Sequence, residues 1–157
     1  MSLAYRNSKK HRAPAYILIG DGFDELEVIY FLHRFRQAGL PIKSVSLFNK
    51  LVFSRQGVGL KADYELAEHP VDPQSDCLVI LPSGGRNGEM LRRDARVKSL
   101  LESIEAGNGR IAVTDENSHL AMDIEQLCSR HPPIQPNHGQ GLEEFVDHLA
   151  ERAAFAV

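Results

Sequence analysis

The sequence predicts an α/β protein, a three-layer α/β/α sandwich around a parallel sheet with a small β-hairpin flap. Three observations support this. Short apolar runs, Ala15-Tyr-Ile-Leu-Ile19, Ile42 to Leu47, Asp76-Cys-Leu-Val-Ile-Leu81 and Ile111 to Thr114, read as strands buried on both faces. Segments with helical apolar period alternate with them, and the connections are short. That alternation favours right-handed crossovers between parallel strands.

Taken in order, Ala15 to Ile19 is stopped by Gly20-Asp-Gly22. Asp24 then stands three residues before Glu27, the spacing of a capping box. The helix it opens runs to Ala38, with Leu26, Tyr30, Phe31, Phe35 and Ala38 expected on the buried stripe, and Gly39 closes it. After the second strand, Leu51-Val-Phe53, the turn Ser54-Arg-Gln-Gly57 and Val58-Gly-Leu60 read as the hairpin flap. Lys61 to Asp72 is polar and is expected to be irregular. The strand ending at Leu81 is broken by Pro82-Ser-Gly-Gly85, and a helix from Asp94 to Glu105 follows, carrying Val97, Leu100, Leu101 and Ile104. Next come the strand at Ile111, a turn at Asp115, and a helix from Ser118 to Leu127. Three prolines between Cys128 and Gln140 leave room for one short strand near Ile134. Leu142 to Ala154 is the last helix, buried through Leu142, Phe145, Val146 and Leu149.

The 157 residues are enough for one domain that buries roughly 70% of its unfolded surface. Residues 1–13 read as a flexible N-terminal tail and 14–157 as the single domain. A net charge of −3 gives no electrostatic support for a nucleic-acid partner, and no apolar run is long enough to suggest a membrane span. Two cysteines with nothing to suggest pairing, and no signal-peptide pattern, fit a cytoplasmic protein. No spacing of cysteine, histidine or carboxylate supports a metal site, and no cofactor is implied.

Four pieces stand in one order: Gly22-Phe-Asp-Glu-Leu-Glu27, the helix end Arg36-Gln-Ala-Gly39, Leu81-Pro-Ser-Gly-Gly85, and the strand-to-helix elbow at Asp115. Together they resemble the ThiJ/PfpI family of the class I glutamine-amidotransferase-like superfamily, which includes the Parkinsonism-associated deglycase-like proteins. The resemblance covers about residues 15 to 127 and implies a flavodoxin-like sheet. It matches Glu27 to the family's helix-borne glutamate and puts Pro82 to Gly85, Ser83, Gly84 and Gly85 among them, at the pocket wall, with Gly22 as a further binding candidate. Where the family carries a catalytic cysteine on the elbow, the alignment places Asp115. Glu116 stands where some members have a histidine, and His131-Pro132 resembles the later His-Pro of others. The resemblance also implies a homodimer.

The site residues admit two readings. Glu27 and Asp115 can share a pocket as a carboxylate pair, in which one acid is raised in pKa and serves as a general acid or hydrogen-bond donor. Alternatively, Asp115 is an N-cap that bonds the amides of Asn117 or Ser118, and Glu27 is the capping-box partner of Asp24. Gly84 and Gly85 serve a tight turn, an oxyanion, or both. His119, in the first turn of its helix, can face the pocket or solvent. Without a thiol on the elbow, the expected function is non-catalytic binding of a small-molecule ligand or an interaction role. The alternative is a hydrolase or hydratase using Glu27 and Asp115.

Overall fold

The structure is a computed structural model and describes residues 13–155. All of the expected tail except Ala13 lies outside the described residues. Strands β1 (Ala15–Ile19), β2 (Ile42–Ser46), β5 (Tyr64–Glu65), β6 (Leu78–Leu81) and β7 (Arg110–Val113) form one parallel sheet in the order β5-β2-β1-β6-β7. Ile134 adds a parallel bridge beyond β7: its N–H donates to Ile111 O at 2.8 Å and its carbonyl accepts from Val113 N at 2.9 Å. Strands β3 (Leu51–Phe53) and β4 (Gly59–Lys61) form the separate antiparallel flap.

The pleat divides the core. Ile17 and Ile19 point to a cluster shared with α1 (Glu25–Gln37) and α5 (Leu142–Phe155). Leu18 points the other way, to a cluster shared with α2 (Asn87–Arg93), α3 (Ala95–Ala106) and α4 (His119–Leu127). Asp147 on α5 accepts from Tyr30 Oη at 2.9 Å and Arg34 Nε at 3.0 Å, which fastens the two helices of the first face together. Helix α1 closes as expected: the Leu40 amide donates to Phe35 O and the Gly39 amide to Arg36 O, the paired bonds of a Schellman ending.

Several expectations are corrected. The Asp24 side chain does cap α1, accepting from Leu26 N at 3.0 Å, but Glu27 makes no reciprocal bond and turns inward. Leu26 is 77% exposed, not part of the core stripe; Val28 and Leu32 take that role. Within Lys61 to Asp72 the chain adds edge strand β5 and a 3₁₀ turn at Leu66–Glu68, because Val45 and Ser46 offer it a free edge. Helix α2 has no counterpart in the sequence pattern, since seven residues containing Gly88 carry little periodic signal.

Helix α4 begins one residue later than expected. Its N-cap is Ser118, whose hydroxyl accepts from Ala121 N at 3.0 Å. The Asp115 carboxylate accepts from Asn117 N at 2.9 Å and shapes the preceding turn instead. Ser118→Ala is therefore expected to lower stability by about 0.5–2 kcal/mol, with Asp115→Ala costing less. Urea unfolding of the two variants checks the order, and an Asp115→Ala loss larger than the Ser118→Ala loss would return the helix cap to Asp115.

Candidate functional site

The sheet order reverses direction between β1 and β6: the chain leaves β1 toward β2 on one side and reaches β6 on the other. Loops leaving the carboxyl ends of those two strands diverge and open a crevice. There the Glu27 carboxyl, carried inward by the first turn of α1 and only 7% exposed, accepts from Gly84 N at 3.0 Å. A side chain on Gly84 would stand 2.9 Å from Glu27 Oε1, so the contact requires glycine. Gly85 follows at φ +60°, and an added Cβ would collide with Gly22 O.

The residue that meets this group from the end of β7 is Thr114, which the sequence reading did not single out. Its Oγ1 accepts from Ser83 N at 2.9 Å and lies 2.9 Å from Ser83 Oγ. Burial raises the Glu27 pKa; the Gly84 amide and the Thr114 hydroxyl oppose that shift, and Asp24 and Asp115 add to it. Asp115 contributes the least of these influences. It is exposed, and no hydrogen bond joins it to Glu27 among the described residues.

Asn87 holds the crevice open from beneath. Fully buried, its Oδ1 accepts from Gly20 N at 2.6 Å, and its Nδ2 donates to Leu18 O at 3.1 Å and Pro82 O at 2.7 Å. It therefore bonds the ends of β1 and β6 where they no longer pair. Gly22 joins the same frame, donating to Phe53 O of the flap and accepting from Arg86 N, both at 2.8 Å.

The remaining sequence candidates lie farther out. Glu116 is half-buried, 3.9 Å from the exposed His138. His119 is exposed, its Nδ1 3.4 Å from Arg92 Nη1, in a surface group that includes Glu89 and Asp123. His131 is exposed and influences Glu105 near the C-terminus of α3, away from Glu27. Among the described residues, no three His, Cys, Asp or Glu side chains converge to hold a metal. Concavities elsewhere, of about 230 Å³ beside the start of β1 and about 620 Å³ between α3 and α4, contain no buried carboxyl. Convergent polar groups, not volume, pick out the Glu27 crevice.

A buried glutamate on the helix after β1, its carboxyl against a Pro-Ser-Gly-Gly loop, is thus on one crevice with the β7 elbow. The DJ-1/PfpI family matches residues 13–114, a span that includes Glu27, the Pro-Ser-Gly-Gly loop and Thr114. The chain belongs to the DJ-1/PfpI family. It is 32% identical over 88 residues to a deglycase of Thermococcus kodakarensis; the match covers 56% of this chain and spans only about half, 51%, of that protein. The fold is similar to that of a cysteine-to-alanine mutant of a DJ-1 superfamily protein from Salmonella typhimurium, with TM-score 0.69, 19% identity and 89% of each chain covered. Drosophila melanogaster DJ-1beta is equally similar, at TM-score 0.69 and 19% identity over 90% of each chain. Among the described residues of this family member, no helix is long and apolar enough to cross a membrane.

The raised Glu27 pKa has a measurable consequence. The folded chain holds that proton more tightly than the unfolded chain, so the associated stability is fully present below the ordinary carboxyl value. It is lost as pH rises through the folded value. Urea midpoints measured across about pH 4–8 should fall with pH in the wild type, and this component should vanish in Glu27→Gln. Parallel pH profiles for the two proteins would show that Glu27 titrates as an ordinary surface acid.

Proposed function

We propose that this DJ-1/PfpI chain binds a small ligand at the Glu27 crevice without covalent catalysis, the elbow cysteine being replaced. One observation carries the reading: the group facing Glu27 from the end of β7 is the Thr114 hydroxyl, already hydrogen-bonded to Ser83. A neutral hydroxyl lacks the nucleophilicity of a thiolate unless a base strips its proton. Neither cysteine of the sequence is placed to help. Cys77 precedes β6 at the opposite end of that strand, buried; Cys128 follows α4, its thiol pushed up to about 11 mainly by burial. In place of the Cys-to-Asp substitution expected at 115, the geometry favours Thr114 as the residue occupying the nucleophile's position.

The polar groups suit a ligand with both a carbonyl and a hydroxyl. A protonated Glu27 donates, and Ser83 and Thr114 donate or accept. A second reading, a hydrolase or hydratase working through Glu27 and Asp115, draws on the upward shift at Glu27, which would suit a general acid. The exposed Asp115, committed to its turn, supports it less. Two free cysteines accord with a reducing, cytoplasmic setting, and the protein is read as a homodimer.

Thr114→Cys tests the reading directly. The variant should gain a thiol whose iodoacetamide reaction depends on pH and on Glu27, while Asp115→Cys gives only an ordinary exposed thiol. Wild-type protein should show no turnover of deglycase or glyoxalase substrates that thiol alkylation abolishes. Robust alkylation-sensitive turnover by the wild type would overturn the proposal.

A further inference from the structure

The Glu27 crevice lies at the carboxyl ends of the strands; beside their starting ends is a separate cavity of about 230 Å³, open on one side. One wall is the beginning of the sheet, Ala15 of β1 and Leu78 of β6, with Ile134 alongside β7. Phe35 near the end of α1 and Leu40 in the turn after it face Leu149 and Ala153 of α5 across the gap. All of these belong to, or pack against, the core cluster between the sheet and the two helices, so the cavity is a gap in that core. The bonds from Tyr30 and Arg34 to Asp147 fix the spacing of α1 and α5 nearby, and the helix ends do not collapse into the gap. An apolar gap left unfilled forfeits dispersion contacts on every wall, and an apolar ligand restores them.

Charge is confined to three of the lining residues. Arg110 at the start of β7 and Arg152 on α5 supply two cations, and Asp76, just before β6, is the one acid among the described residues that joins them. Arg110 is half-buried and gives one long bond, 3.4 Å, to Pro132 O. Neither guanidinium pairs with a carboxylate among the described residues, Asp76 included. Two cations against one anion leave a single positive charge beside an apolar hole, and a guanidinium matches the two oxygens of a carboxylate. No hydroxyl or amide side chain lines the cavity among the described residues, so nothing there would hold a sugar or another polyol. An apolar cavity of roughly 150 Å³ admits a six-carbon ring, and about 230 Å³ then has room for roughly nine non-hydrogen atoms.

We infer that this cavity is a second ligand site, for a medium-chain monocarboxylate whose apolar chain enters between α1 and α5 and whose carboxylate meets Arg110 and Arg152. It is independent of the Glu27 crevice: β1 runs from Ala15 at the cavity to Ile19 near the crevice, about 13 Å of strand.

Calorimetric titration of the full chain with octanoate, and with octan-1-ol as the uncharged control, tests the inference. Octanoate should bind about tenfold or more tightly than the alcohol. Arg110→Gln and Arg152→Gln should each weaken octanoate by about fivefold or more and leave the alcohol unchanged. Asp76→Asn should tighten octanoate, since it removes the acid that competes for the same guanidiniums. Ala153→Leu, which narrows the gap, should weaken both probes, and Glu27→Gln should affect neither. Amide shifts on titration should centre on Ala15, Leu78 and Leu149. Shifts at Ser83 and Gly84 instead, with octanoate binding lost in Glu27→Gln, would put the acid in the crevice and refute a second site. Equal affinities for acid and alcohol, or arginine variants that bind octanoate as the wild type does, would refute recognition of the carboxylate. A full chain that binds no octanoate would overturn the inference outright, whether residues 1–12 or a second copy then proved to fill the cavity.

Discussion

The crevice depends on the three hydrogen bonds of one buried side chain, Asn87. Strands β1 and β6 pair from Ala15 to Ile17 against Leu78 to Ile80, then separate because their onward connections run to opposite sides of the sheet. Separation strands the Leu18 and Pro82 carbonyls and the Gly20 amide in a place water does not reach, where each unpaired group would cost about 1–3 kcal/mol. A carboxamide supplies two donors and an acceptor from one planar group, which matches that set. An aspartate could not donate to the two carbonyls. The β1 and β6 loops are thereby held apart at a fixed spacing, and Gly84 can present its amide to Glu27.

Much of the fold was legible because the elements that build the sheet are long in apolar residues and bounded by turn residues. Ala15–Ile19 and its helix, the hairpin, and α5 all stand where the pattern put them. What escaped were elements whose existence is decided by neighbours. Tyr64–Glu65 is a strand only because β2 has an open edge, and no two-residue stretch can announce itself by alternation. Helix α2 is seven residues long, interrupted by Gly88, and pinned by the Asn87 bonds; propensity alone would not favour it.

The site was legible in part. Glu27 and the Pro82 to Gly85 loop, named together from one ordered set of short motifs, meet through the Gly84 amide. Thr114, read as the end of the strand, was not among the candidates; Asp115 was, on the reasoning that a reactive side chain stands on the turn itself. In the structure β7 ends at Val113, and Thr114 is the first residue beyond the ladder, its side chain directed to Ser83. Asp115, one position on, faces solvent.

The inversion at the start of α1, acid inside and leucine outside, follows from helical geometry. Phe31 and Phe35 are fully buried and lie four residues apart, so they fix the direction in which α1 faces the sheet. Four residues before Phe31 is Glu27, on the same stripe. Leu26 is about 100° around the helix from it and cannot join the core without lifting both phenylalanines out. Burying two aromatic rings outweighs the cost of desolvating one carboxyl, and that cost is eased by the Gly84 amide and by the option of keeping the proton. Counting apolar residues put Leu26 inside; anchoring the stripe on the two phenylalanines puts Glu27 there. The register that aims the acid at the crevice thus also leaves Leu26 and Ile29 on the surface, which makes the buried acid and the apolar outer face two results of one helix orientation.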